Sequence, residues 1–315
     1  MTRRPTVWTW LLSLLAAVLL APTPAPAAPA APAAPAGAER DARDRATTRS
    51  AAQQASWSTG PVAAGATQGW VWNNANPLNA AYQVGFSPTG ANSTTPCEFE
   101  VTRSWYSRQP SGERRFHFVI RNSGTTSCGA TVLLSWLTPT HDWSTGALAP
   151  GASGNYGWVE QIAPTVSYLL GLTPTGATAT AACQLEITRT WYRQEPDGVR
   201  KFYFVLRNIG TITCSGQFQL AQTSPAASWS TGTLAVGASA SWTWTNANPL
   251  SAVYLPGASP TGAGGGTACQ LEVTRSRYAQ RINPDGTSQR QYLLTVGNVG
   301  QLPCAGTVLL GSLTP

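Results

Sequence analysis

Large aromatic residues two positions apart recur along this chain, as Trp70 and Trp72, Tyr156 and Trp158, and Trp242 and Trp244. On an extended strand such residues share a face, and two indoles side by side can stack on sugar rings while their N–H edges reach hydroxyls. The same spacing also fits two rings filling the core of a small sandwich, the commoner fate of large aromatics in a small disulfide-stapled domain. The segments "WNNANPL" (72–78) and "WTNANPL" (244–250) tilt the balance toward binding, since Asn74, Asn76, Asn246 and Asn248 could orient a polar ligand. At 158–165 the second copy reads "WVEQIAPT", so it is expected to bind differently or not at all.

Other reactive groups are sparse. The two histidines, His117 and His141, have no Cys-x-x-Cys or second His at ligand spacing, and neither a metal nor another cofactor is expected. Catalysis would require one of them in a cleft beside a carboxylate. Glu100, Glu186 and Glu272 recur in the pattern Glu-x-Thr-Arg, and a carboxylate repeated at mid-strand is expected to pair with an arginine. Strand parity puts Arg103, Arg189 and Arg275 on the apolar face, at its edge and with a partner. The expectation is a non-enzymatic protein.

Residues 1–27 have the form of a signal peptide: Arg3 and Arg4, an apolar run from Val7 to Leu20, then Ala25-Pro26-Ala27 before the cleavage point. The paired arginines are a weak match to a twin-arginine signal. Residues 28–55 follow as an Ala/Pro-rich and then charged linker without apolar periodicity. The ending "GSLTP" carries no sorting signal, so after cleavage no membrane anchor is expected and the protein is placed outside the cell. Charged residues form 10% of the chain, against roughly 25% in ordinary soluble proteins, and the excess is in small turn residues and 13 Trp. The net charge of +7 comes almost wholly from arginine, which fits a GC-rich bacterial genome. Nothing in the sequence clusters these arginines as a nucleic-acid partner would require.

The pentapeptides "SWSTG" (56–60), "DWSTG" (142–146) and "SWSTG" (228–232) set the frame. Trp57, Trp143 and Trp229 are 86 residues apart, as are Tyr82, Tyr168 and Tyr254, and Cys97, Cys183 and Cys269. Repeats of this size are small domains in tandem, here 56–140, 141–226 and 227–315. In the first copy Cys97, Phe99, Val101, Arg103 and Trp105 alternate with Glu98, Glu100, Thr102, Ser104 and Tyr106, which predicts a strand with the first set inward. A Pro-x-Gly turn at 110–112 leads to a strand through Phe116, Phe118 and Ile120, and an Asn-x-Gly turn leads to a third strand beginning at Cys128. The third copy lengthens only this hairpin, by four residues. Six cysteines allow 15 pairings. An up–down–up path brings the starts of the first and third strands together and favours Cys97 with Cys128, Cys183 with Cys214, and Cys269 with Cys304. Such bridges suit an oxidising compartment.

Each copy is thus expected to hold five to seven short strands and no helix. The run of strand, Asn-x-Gly-Thr turn (122–125), strand, then Leu-x-Pro-Gly-x-Ser (148–153) and strand resembles the immunoglobulin-like modules of secreted bacterial proteins, in particular the cell-adhesion-related domain CARDB. Only the second copy keeps Pro150. The resemblance implies spacer or adhesion elements without catalysis and carries no binding residues over. It also leaves two frames open. Either three sequential sandwiches lie in the frame of residue 56, or the N-terminal half-unit completes the C-terminal one and closes a ring. Short connections favour the first. The fold expected is all-β, three tandem disulfide-stapled immunoglobulin-like β-sandwich repeats of about 86 residues. The function expected is weak, repeated binding of an extracellular polymer, carbohydrate or cell wall, gaining by avidity. The alternative is a structural spacer, adhesin or protein-binding module, including an inhibitor of a secreted enzyme.

Overall fold

A computed structural model describes residues 53–73, 75, 80–158, 165–245, 247 and 252–314; the expected signal peptide and nearly all of the linker lie outside them. Among the described residues there is no helix. The first copy forms β1 (Gln53–Ser58), β2 (Thr67–Trp72), β3 (Ala81–Thr89), β4 (Cys97–Arg108), β5 (Arg114–Asn122) and β6 (Gly129–Leu137). The second forms β7 (His141–Ser144), β8 (Ser153–Trp158), β9 (Ser167–Thr175), β10 (Cys183–Gln194), β11 (Arg200–Asn208) and β12 (Ser215–Thr223). The third forms β13 (Pro225–Ser230), β14 (Ser239–Trp244), β15 (Val253–Thr261), β16 (Cys269–Ile282), β17 (Ser288–Asn298) and β18 (Ala305–Leu313). β1 takes in Gln53 to Ala55, which the sequence assigns to the linker.

The strands of each copy pair in one pattern. β6 lies between β1 and β3 in one sheet, and β5 between β2 and β4 in a second; all these pairs are antiparallel. The two sheets pack face to face in a sandwich-like layer through Phe86 on Phe99 and Trp57 on Phe118, with ring centroids 5.8 and 6.1 Å apart. Cys97 joins Cys128, Cys183 joins Cys214 and Cys269 joins Cys304, the pairing that the strand path favours. Loops of 31 to 35 residues closed in this way gain roughly 3.5 kcal/mol each by the chain-entropy argument. The Asn of each Asn-x-Gly turn is buried and saturated. Asn122 donates from Nδ2 to the carbonyls of Val62 (2.8 Å) and Thr126 (2.7 Å), and accepts from the Gly124 N–H at Oδ1 (3.0 Å). Asn208 and Asn298 repeat these bonds, so the turn side chain ties the β5–β6 connection to the β1–β2 connection. The extra residues of the third hairpin lengthen β16 to 14 residues and β17 to 11, leaving the rest of the register as it is elsewhere.

Two features depart from the sequence reading. The first is a β-bulge. The β4–β5 register shifts between Val101 and Arg103, and β10 and β16 shift at the equivalent points. One extra residue, Thr102, reverses the parity beyond it. Cys97 and Phe99 face the core before the bulge, but Tyr106 faces it afterwards, and Arg103 and Trp105 turn to the opposite face of the sheet, where Arg103 meets Glu186. The backbone N–H of Tyr82 donates to the hydroxyl of buried Tyr106, and Tyr168 with Tyr192 and Tyr254 with Tyr278 do the same.

The second departure is how the copies meet. β1 pairs with β6 of its own copy, so the N-terminal strand does not complete the last copy. A cycle closes nonetheless through other strands. The end of β4 pairs with the start of β10 (Tyr106 opposite Leu185), the end of β10 with the start of β16 (Tyr192 opposite Leu271), and the end of β16 with the start of β4 (Tyr278 opposite Phe99). The three inner sheets thereby become one nine-stranded sheet. A small second core gathers where the copies meet, with Ala81, Leu133 and Leu137, Leu169 and Ala221, and Val253, Leu255 and Leu313. Glycine permits the close approach there: a Cβ on Gly85 would stand 2.9 Å from the Tyr278 hydroxyl, and one on Gly257 would stand 2.7 Å from Ser167 Oγ.

Candidate binding site

Trp70 and Trp72 lie on β2, an edge strand of the nine-stranded sheet, with both side chains turned into their own sandwich and half-buried. Trp57 on β1, the facing edge strand, lies parallel to Trp72 (6.0 Å, 9°) and tilted to Trp70 (5.8 Å, 47°). Trp136 at the end of β6 tilts against Trp72 at 6.2 Å and against Tyr82 at 5.8 Å. The open edge between β1 and β2 is therefore closed by a cluster of four tryptophans, packed on the core on one side and reached by solvent on the other. The Nε1 atoms of Trp57 and Trp70 are covered.

The second copy keeps the arrangement with other residues. Trp143 and Trp158 meet at 5.2 Å, and His141 lies 4.5 Å from Trp158. Tyr156 donates its hydroxyl to the Thr145 carbonyl at 2.7 Å, and burial pushes its pKa up, so it remains a neutral donor. In the third copy Trp229 meets Trp244 edge-on at 5.7 Å, with Trp242 half-buried two residues earlier. The structure thus joins to each aromatic pair the tryptophan of the "WSTG" segment that sets the repeat frame. Asn74, Asn76, Asn246 and Asn248 lie outside the described residues.

A second aromatic set escapes the sequence reading because of the bulge. On the coreless face of the nine-stranded sheet, Trp105 stacks on His117 (4.8 Å, 5°) with the Arg103 guanidinium 4.9 Å over its ring. Trp191 stacks likewise on Tyr203 (5.5 Å) under Arg189 (5.0 Å). Comparison of the copies does carry a signal for this: Tyr106, Tyr192 and Tyr278 are constant, whereas Trp105 and Trp191 give way to Arg277, a residue no core would take unpaired.

His117 Nε2 lies 2.8 Å from Ser107 Oγ, which also accepts from the Gln109 amide at 2.8 Å. Burial, with Arg115 nearby, lowers the His117 pKa from near 6.5 to about 4, so the ring is neutral at physiological pH. Ser107 is 1% exposed, and a hydroxyl that substrate cannot reach does not act as a nucleophile. Among the described residues no three His, Cys, Asp or Glu side chains gather to hold a metal, and no helix is long and apolar enough to cross a membrane.

The recurring carboxylates do pair with the recurring arginines, but across copies. Arg103 holds Glu186, Arg189 holds Glu272 and Arg275 holds Glu100, a cycle running the same way round as the strand pairings. A cavity of about 260 Å³ opens among the copies, lined by Gln83, Tyr106, Thr190, Tyr192 and Ser276 among others. Compared with known proteins, the chain matches no family model, no curated protein and no solved structure.

Proposed function

We propose that this is a secreted, non-catalytic binding protein whose ligand is an extracellular polymer, a carbohydrate of the cell wall or matrix. The observation that carries the reading is the recurrence, at the same sandwich edge in every copy, of an aromatic cluster left partly open to solvent: Trp57, Trp70 and Trp72; Trp143, Tyr156 and Trp158; Trp229, Trp242 and Trp244. Partly exposed indoles held rigidly by core packing offer apolar area at little entropic cost, and a cyclic frame presents several such sites to one chain. The immunoglobulin-like resemblance implies a spacer or adhesion element, and it supports the non-catalytic part of this reading alone.

The second reading is a structural or protein-binding module. It draws on the covered Nε1 atoms of Trp57 and Trp70 and on rings whose faces are spent on each other. A depletion assay separates the two, with oxidised protein incubated on insoluble chitin, cellulose, xylan and bacterial cell wall. Trp72→Leu, Trp158→Leu and Trp244→Leu, made singly and together, keep apolar volume while removing the indole. Selective depletion that falls stepwise with the number of substituted copies supports the first reading. Depletion from none of these polymers by the folded wild type overturns it.

A further inference from the structure

We infer that the seam between β4 and β16 is an anion-binding site for an acidic polysaccharide, one carrying carboxylate or sulfate groups. Four arginines converge there on two carboxylates. Glu100 Oε1 is held by Arg121 (2.7 Å) and Oε2 by Arg275 (2.7 Å); Glu98 Oε2 lies 3.4 Å from Arg277 and Oε1 3.8 Å from Arg281. Two negative charges stand against four positive ones, so the cluster keeps a surplus of cation.

The surplus faces outward. Glu98 and Glu100 side chains are 9% and 8% exposed, while Arg121, Arg275, Arg277 and Arg281 are 42%, 43%, 28% and 46% exposed. A carboxylate sunk below its partners fixes the guanidinium stems without neutralising the surface. At 3.4 and 3.8 Å the Glu98 contacts are too long to be good hydrogen bonds, so the Arg277 and Arg281 forks keep N–H groups for another acceptor. Arg281 donates from Nε to Gln291 Oε1 at 2.9 Å, while its Nη2 stands 3.8 Å from Glu98. Planar forks of this kind match carboxylate and sulfate oxygens two at a time.

The site belongs to one seam. Arg277 stands where the first two copies carry Trp105 and Trp191, so only the third copy exchanges an aromatic ring for a guanidinium. Charge complementarity calls for a polyanion, and the polymer-binding proposal makes that polyanion a polysaccharide. Single-stranded nucleic acid needs an open ring face beside the cations, and this seam carries Arg277 where the other copies carry a tryptophan. The inference rests on the polymer-binding proposal for the class of ligand and not for the place of contact.

The test uses full-length oxidised protein with heparin and polygalacturonate as anionic probes, dextran as neutral control, and a single-stranded DNA oligonucleotide as the competing polyanion. Affinity is measured at several salt concentrations for wild type, Arg277→Gln with Arg281→Gln, Arg277→Trp, and the Trp72/Trp158/Trp244→Leu variant. Arg277→Trp restores the residue that the other copies fold with. The expected result is salt-dependent binding of at least one anionic polysaccharide, weakened about tenfold or more by the double substitution and severalfold by Arg277→Trp, and unchanged by the tryptophan substitutions. Three results would overturn the inference: no binding of either anionic polysaccharide at low salt, binding that survives loss of both arginines, or tighter binding of DNA than of the polysaccharides at matched salt. Failure of the aromatic sites is read separately, as absence of depletion on the insoluble polymers.

Discussion

Arg103 of the first copy grips Glu186 of the second with two parallel bonds, Nε to Oε1 at 2.6 Å and Nη2 to Oε2 at 2.9 Å. Glu186 is 12% exposed and Arg103 44%, so the carboxylate is the member that loses water and depends on the pair. With its equivalents at Arg189–Glu272 and Arg275–Glu100, the contact fastens every copy to the next.

Glu186→Gln should therefore lower stability by about 1 kcal/mol, the exposed arginine holding the figure near that of a surface pair. Glu100→Gln should cost about twice as much, since it releases both Arg121 and Arg275. Urea midpoints measured at low and high salt check the order, and equal losses for the two variants would contradict it.

Gly85→Ala should destabilise by about 1–3 kcal/mol, because its Cβ would press on the buried Tyr278 hydroxyl and on Val253 Cγ2 at 3.0 Å. Gly69→Ala, whose Cβ would meet nothing within 4 Å, should change stability by less than about 0.5 kcal/mol. Thermal unfolding of the two variants makes the comparison.

The pH dependence of stability should carry a contribution from His117. Its folded pKa, about 4, lies below the unfolded value near 6.5, so as pH falls the unfolded chain takes up the proton first. The contribution is complete above pH 6.5 and is lost on descent toward pH 4; the full shift corresponds to about 3 kcal/mol, which solvent at the half-exposed ring reduces to ~2 kcal/mol. Carboxylates titrate in the same range, so the readout is the difference between wild type and His117→Leu, leucine being the third-copy residue at this position (Leu293). Parallel stability curves for the two proteins between pH 4 and 7 would refute this.

Cyclic pairing makes the copies mutually dependent. Residues 1–226 alone would leave the Cys97–Phe99 edge of β4 and the Tyr192–Gln194 edge of β10 unpaired, and would strip Val253, Leu255 and Leu313 from the shared core. Such a fragment should associate or fail to fold cooperatively. A circular permutant starting at Thr140, with residue 314 linked to residue 53, keeps every pairing and should remain monomer-like in its unfolding. Light scattering and near-ultraviolet circular dichroism distinguish the two chains.

Much of this organisation is written locally. Period-two alternation and the Pro-x-Gly and Asn-x-Gly turns are properties of neighbouring residues, and with the 86-residue return of Trp57, Tyr82 and Cys97 they suffice for the strands, the hairpins and the three bridges. The same alternation assigned Trp105 to the core, because a bulge is a single inserted residue without a signature in composition. Its trace lay in the third copy, where Arg277 replaces the tryptophan and Tyr278 does not change.

Only the tertiary structure decided which copy's strand end meets which other's beginning. Arg275 and Glu100 are 175 residues apart, and nothing in either segment names the other. Strand edges expose the same backbone groups whatever their sequence, so the choice of partner falls to long-range packing: the glycines that admit a neighbour's tyrosine, the small core shared by three copies, and ion pairs that form once the cycle has closed.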